Sequence, residues 1–95
     1  MFLISYDLKS AEADYEAMYS AIQALGASLR VLDSTWIVDP PQGVGEDEIA
    51  TQLHGVIHSG DRFIVVHIDN RRQGWLPRNM WDWMQGHEEN LPGNT

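Results

Sequence analysis

The sequence has no cysteine, only six basic residues, and no apolar run as long as a membrane helix. Without cysteine the chain has no disulfide, thiolate metal ligand or cysteine nucleophile. The net charge of -8 argues against extensive binding to DNA or RNA, because such binding depends on lysine and arginine displacing counterions from phosphates. A membrane helix needs ~20 apolar residues, and the N-terminus lacks a secretory signal, so we expect a cytoplasmic protein with no membrane partner.

The 95 residues correspond to one small domain, and the acidic charge is unevenly distributed within it. A domain of this size buries roughly 65% of its unfolded surface, so association with another chain would stabilise it. Residues 1–60 carry two basic residues against nine acidic ones, whereas residues 61–95 carry four arginines against five acids. Any anion-binding site is therefore expected in the last third of the chain.

The pattern of apolar residues predicts six elements in a fixed order. Residues 2–8 are typical of a central strand, and a helix follows between Ser10, a candidate N-cap, and Gly26, a candidate C-cap. Two strands at 28–32 and 35–38 are separated by two residues, as in a tight hairpin. A second helix over 46–60 begins with three acids, and β-branched residues dominate a last strand over 62–68.

This order predicts an α+β domain of the ferredoxin-like βαββαβ type, with a four-stranded antiparallel sheet and two helices on one face. The domain is expected to span residues 1–85 and to end in a short Trp-rich segment, in which Pro77 would start a short helix. Residues 86–95 are expected to form a flexible C-terminal tail. Right-handed crossovers would place the first and third strands at the centre of the sheet.

The sheet face away from the helices is predicted to be a mixture of polar and apolar side chains. If Ile64, Val66 and Ile68 face the helices, alternation places the neighbouring residues of that strand on the open face, joined by Ser28 and Arg30. The register of the third strand is open, so either Thr35 or Trp36 faces this side. Such a face suits a subunit interface or a platform for a ligand. The predicted interface residues are Leu3, Ser5, Phe63, Val65 and His67.

Asp7 is the candidate catalytic and metal-binding residue, because it is a carboxylate at the end of a predicted central strand. Two copies of Asp7 meeting across a twofold axis would offer a Mg²⁺ or Mn²⁺ ion enough oxygen ligands to activate water. The alternative interpretation, which we favour, is that Asp7 accepts hydrogen bonds from the loop before the first helix. His54 and His58 have the spacing of helical zinc ligands, but they point away from the apolar stripe and are interpreted as solvated.

Arg71, Arg72, Trp75 and Arg78 are the candidate ligand-binding residues. Guanidinium groups pair with phosphate through two hydrogen bonds, and the ring of Trp75 or Trp81 can stack on a base, so these residues would suit a nucleotide. The alternative, which we favour, is a solvated loop followed by a tryptophan cluster that packs on the domain.

Several short segments resemble known families. Residues 5–8 (Ser-Tyr-Asp-Leu), 33–38 (Asp-Ser-Thr-Trp-Ile-Val) and 61–63 (Asp-Arg-Phe), with the tryptophan-rich tail, resemble short bacterial and phage proteins labelled SinR family. More distantly, the layout and the Tyr-Asp pair are similar to CRISPR-associated Cas-two proteins and VapD toxins. The resemblance implies a ferredoxin-like homodimer, in which the carboxylate matching Asp7 is a nuclease metal ligand in some members and others serve as DNA scaffolds. The acidity of this chain and its segment 75–83 depart from that pattern.

These observations give three functional hypotheses. The first is a homodimeric binding protein without catalysis and without a cofactor, whose partner is a small nucleotide or a protein. The second is a Mg²⁺- or Mn²⁺-dependent ribonuclease or deoxyribonuclease that uses paired Asp7. The third is the capture of a small nucleotide messenger, in a defence or phage context, by arginine and tryptophan side chains.

Overall fold

The computed structural model describes residues 1–88, which form four strands and three helices. The strands are β1 (Phe2–Asp7), β2 (Ala27–Leu32), β3 (Thr35–Asp39) and β4 (Arg62–His67), and the helices are α1 (Tyr15–Gln23), α2 (Glu46–His54) and α3 (Arg78–Glu88). The strands make one antiparallel sheet in the order β2-β3-β1-β4. The predicted α+β class and the central position of β1 and β3 are confirmed.

The helix ends differ from the prediction. α1 begins later than expected, because Asp14 rather than Ser10 is its N-cap and accepts a hydrogen bond from the backbone N–H of Ala17 at 3.0 Å. α2 ends at His54, where Gly55 follows. His58 therefore lies outside α2, and the predicted pair of histidines on one helical face does not exist.

The main core lies between the sheet and the first two helices. Ile4, Met18, Ile22, Ile49 and Leu53 are fully buried there. The indole N–H of Trp36 donates to the Tyr6 hydroxyl at 3.3 Å, and burial raises the pKa of Tyr6 above its usual range. This core needs no contribution from the C-terminal segment.

A second, smaller core lies on the opposite face of the sheet, under α3. Met84 of α3 is only 1% exposed and packs with three buried residues of the sheet side. Those three residues are Met1, Val31 and Ile37. α3 continues to Glu88, three residues past the predicted domain boundary at residue 85, and residues 89–95 of the predicted flexible tail lie outside the described residues.

Two polar contacts fasten α3 at its C-terminal end. His87 Nδ1 and Asp39 Oδ2 lie 2.6 Å apart, and Arg72 forms an ion pair with Glu88 at 3.0 Å. Both contacts join the last turn of α3 to segments at the same end of the sheet, the end of β3 and the loop after β4. α3 covers the β2–β3 half of this face, because its Met84 packs with Val31 of β2 and Ile37 of β3.

The register of β4 is opposite to the prediction. Ile4 pairs with Val65 and Tyr6 with Phe63, so Phe63 and Val65 face α1 and α2. His67 pairs with Phe2, and the two rings meet edge to face with their centroids 5.3 Å apart. The three predicted interface residues of β4, Phe63, Val65 and His67, are thus on the helix face, because a shift of one residue exchanges every side chain between faces.

The pairing of β3 with β1 decides whether Thr35 or Trp36 faces away from α1 and α2, which the sequence left open. Thr35 pairs with Ser5 on the face of α3, and their hydroxyl oxygens are 3.1 Å apart, whereas Trp36 lies on the helix face. Arg30 pairs with Trp36 and lies 5.0 Å from the ring of Tyr19, so it also faces the helices, contrary to the prediction. No helix within residues 1–88 has the length and apolar character needed to cross a membrane.

Candidate functional site

The half of the second sheet face that α3 leaves uncovered forms a continuous strip. Ile64 and Val66 are 59% and 43% exposed, although both are large apolar residues in the middle of a strand. Their partners across β1 are Ser5 and Leu3, both half-buried. We name this surface the β1–β4 strip. Its members are Leu3, Ser5, Asp7, Arg62, Ile64 and Val66.

Asp7 lies at one end of the strip beside two cations. It pairs in register with Arg62, and its carboxylate is 3.4 Å from the Lys9 ammonium in an exposed ion pair. Within residues 1–88, no group of three His, Asp or Glu side chains is placed to hold a metal ion. Asp7 is therefore an exposed carboxylate that is paired with Lys9 and has Arg62 as its cross-strand neighbour.

The role favoured for Asp7, that of accepting hydrogen bonds from the loop before α1, belongs to Asp61. The buried carboxylate of Asp61 accepts hydrogen bonds from the backbone N–H groups of Lys9, Ser10 and His58, at 2.9 to 3.0 Å, and from the Ser10 hydroxyl at 3.3 Å. These bonds, led by the backbone N–H of Ser10, lower the pKa of Asp61 below its usual 3.8. Asp61 thus ties the segment after β1 to the start of β4.

Replacement of Asp61 by Asn is expected to make the protein less stable at neutral pH and less sensitive to acid. The folded pKa is below the unfolded one, so the ionised carboxylate adds stability above about pH 4 that is lost as the pH falls through the folded pKa. Melting temperatures between about pH 7 and about pH 3 should therefore converge for wild type and Asp61→Asn. Asp33→Asn, at an exposed turn position, is the control and should follow wild type; a constant difference across the pH range would contradict this role.

Arg71 and Arg72 lie in the loop after β4 and Arg78 is the first residue of α3, but each of these predicted ligand-binding arginines has an acidic partner. Arg71 contacts Asp69 at 3.2 Å, and backbone and side-chain hydrogen bonds from Arg71 lower the pKa of Asp69. Arg72 is half-buried in its ion pair with Glu88. Arg78 and Asp82 form an exposed pair at 3.6 Å within α3. A phosphate group would have to compete with a carboxylate at all three arginines.

Two cavities lie between this loop and α3, and the smaller of them also reaches the sheet. The larger, of about 480 Å³, is lined by polar groups that include Asn70, Gln85 and Glu88. The smaller, of about 260 Å³, is mainly apolar and lies between Ile37 of the sheet and Met84 of α3. The two cavities are contiguous in their lining, because they share four residues. The shared residues are Arg72, Gln73, Gly74 and Trp81.

The structure brings together two of the four predicted ligand-binding residues. Arg72 and Trp75 line the apolar cavity, whereas Arg71 and Arg78 point into solvent and line neither of the two cavities. Trp81, which the sequence offered beside Trp75 as a ring for base stacking, lines both cavities. Its signal was the stripe of apolar residues at positions 80, 81 and 84, whose helical spacing predicts a helix that packs one face on the domain.

No protein-family model, curated protein or solved structure matches this chain. The resemblance to SinR-family, Cas-two and VapD proteins therefore stays a prediction, and the functional argument depends on the β1–β4 strip and on the two cavities.

Proposed function

We propose that the protein is a homodimeric binding module of the ferredoxin-like type, without catalytic activity, in which two β1–β4 strips pack face to face. The order β2-β3-β1-β4, the antiparallel pairing and the position of α1 and α2 on one face agree with the ferredoxin-like arrangement. α3 is then an addition to that arrangement on the second face.

The observation that carries this proposal is the self-complementary pattern of the strip. A twofold axis parallel to the strands, between the two sheets, would place β1 of one subunit over β4 of the other. Because cross-strand partners lie at the same height, Leu3 would meet the partner's Val66 and Ser5 the partner's Ile64. Asp7 would meet the partner's Arg62 in the same way, and each apolar or charged contact would occur twice.

The physical reason for pairing is the exposed apolar surface. Isolated exposed apolar residues are common, but Ile64 and Val66 are next to each other on one strand face, and Leu3 lies beside them as the cross-strand partner of Val66. Burying them gains roughly 25 cal/mol for each Å² removed from water. The charges at the end of the strip would set the orientation more than the strength of the pair.

Ile64→Asp is the first test of the pairing. An unpaired charge buried in an interface costs about 3–5 kcal/mol, so the dissociation constant should rise by at least roughly 100-fold. Sedimentation equilibrium measures it. Leu32→Asp is the matched control, because Leu32 is 58% exposed, as Ile64 is, but lies at the end of β2 outside the strip. Wild-type protein that stays monomeric over the whole micromolar range would refute the proposal.

A charge exchange tests the orientation of the pair. Asp7→Arg or Arg62→Asp alone should each weaken pairing by roughly 2- to 30-fold, since exposed ion pairs contribute about 0.2–1 kcal/mol each and the axis doubles every contact. The double variant should restore much of the loss, because it re-forms opposite charges with their signs exchanged. Additive losses in the double variant would rule out this orientation.

The nuclease hypothesis gains no support from this arrangement. It needs two copies of Asp7 close enough to share a metal ion, whereas the proposed packing sets each Asp7 against an arginine of the other subunit. Lys9 already provides a positive charge that competes with a cation for the carboxylate.

A further inference from the structure

The two contiguous cavities near α3 have the composition of a site for a small molecule with one flat apolar part and one polar edge. The smaller cavity is lined chiefly by apolar side chains, and the larger by side-chain amides and an ion pair. Small-molecule sites in proteins combine an apolar lining with a few polar groups that fix orientation in this way. All of these groups come from one chain.

Two tryptophans give the site its aromatic character. Trp81 lines both cavities, and its ring lies beside Gly74, where a Cβ atom would be 3.9 Å from Cη2. Trp75 lines the apolar cavity, yet 98% of it is exposed, which leaves one of the largest apolar side chains almost without contacts. An indole ring in such a position can stack on a planar ring, and stacking does not require a particular base.

The polar edge favours an uncharged ligand. Asn70, Gln73 and Gln85 each offer an amide that donates and accepts, and such amides pair with the N6 and N7 edge of adenine through two hydrogen bonds. Arg72, the arginine that lines the larger cavity, is already in contact with Glu88, so a phosphate would approach a carboxylate as well as a guanidinium group.

We propose that this double cavity binds the neutral purine base of an adenine nucleoside, with the base against Trp81 and Trp75 and its polar edge toward the amides. This inference names the ligand of the binding module proposed above, but it does not depend on dimer formation, because each subunit holds a whole site.

The test is a titration with adenosine, followed by calorimetry and tryptophan fluorescence, with AMP as the second ligand. Adenosine should bind saturably, and AMP more weakly, because its phosphate lies near Glu88. Trp75→Ala should weaken adenosine binding by roughly 5- to 100-fold, since a stacking ring contributes about 1–3 kcal/mol. The variant should fold normally, because Trp75 makes almost no contacts.

Gln85→Ala and Gln52→Ala form a matched pair for the polar edge. Both glutamines are exposed and helical, but Gln85 lines the larger cavity whereas Gln52 is on α2, beyond the sheet. Only Gln85→Ala should weaken adenosine. Gly74→Leu should also weaken adenosine binding, because the leucine side chain would fill the space beside Trp81. The φ angle of Gly74 is not in the left-handed region, so the substitution should not strain the backbone.

Failure of this inference can be told apart from failure of the dimer. Ile64→Asp lines neither cavity and should bind adenosine as wild type does even where it is monomeric. Absence of saturable adenosine binding at millimolar concentration, unchanged affinity in Trp75→Ala, or tighter binding of AMP than adenosine would each overturn the proposal, whatever the oligomeric state.

Discussion

Met84→Ala is expected to lower the free energy of unfolding by about 2–5 kcal/mol and to loosen α3 from the sheet. Met84 is the one fully buried residue of α3, and it fills the centre of the second core with Val31 and Ile37. Truncation leaves a cavity that the rigid sheet below cannot collapse to fill. The loss is large for a domain whose total stability is about 5–15 kcal/mol.

Tryptophan fluorescence can show whether the loss of stability is confined to the region around α3. Trp75, Trp81 and Trp83 are near or on α3, whereas Trp36 belongs to the main core. In Met84→Ala, the urea midpoint measured by tryptophan fluorescence should therefore fall more than the midpoint measured by far-UV circular dichroism. Amide hydrogen exchange should accelerate in residues 78–88. Gln85→Ala, next to Met84 but exposed, should stay within about 0.5 kcal/mol of wild type. Equal effects of both substitutions would show that Met84 does not anchor the helix.

Gly26→Ala is expected to cost roughly 2–5 kcal/mol, the other large effect. Gly26 has a φ of 146°, where side chains are disfavoured by about 1–2 kcal/mol, and a Cβ there would be only 2.7 Å from the carbonyl oxygen of Asp39. Relieving such overlap requires backbone movement between the end of α1 and the end of β3, at about 1–3 kcal/mol.

Gly43→Ala is the matched control for Gly26→Ala. Its φ of 95° is also positive, but no atom lies within 4 Å of the added Cβ, so it should show the conformational cost without the overlap. Chemical denaturation of the two variants measures the difference between them, which is the cost of the overlap. If Gly26→Ala and Gly43→Ala lower the free energy of unfolding by the same amount, the overlap with the carbonyl oxygen of Asp39 is relieved without cost in stability.

Much of the fold could be predicted from local pattern. The strand and helix types, the two-residue hairpin and the central place of β1 follow from apolar spacing and from the rule on crossovers. The register of β4 could not be predicted, because Phe63, Ile64, Val65 and Val66 are all apolar and alternation gives no preference between the faces. Only the pairing with β1 decides it.

The candidate site was less accessible to prediction because it depends on contacts between distant segments. Asp61 acts through bonds to a loop some fifty residues earlier, and nothing in its local sequence distinguishes it from an ordinary turn residue. The positive charge of the arginines in the loop after β4 predicted a site for an anion. The acidic partner of Arg72, however, is Glu88, sixteen residues further along the chain. The docking of α3 on the second face depends in the same way on tertiary packing.

The exposed edge of the sheet has a consequence for handling the protein. β4 has no strand beyond it within residues 1–88. Its run of Phe, Ile, Val and Val contains no proline and no charged residue, and Arg62 and His67 are the residues that flank it. Such segments template fibril growth when they are released from their neighbours. Prolonged heating above the melting temperature is therefore expected to end in irreversible aggregation nucleated by residues 62–68, and Val66→Lys should keep the thermally unfolded chain in solution.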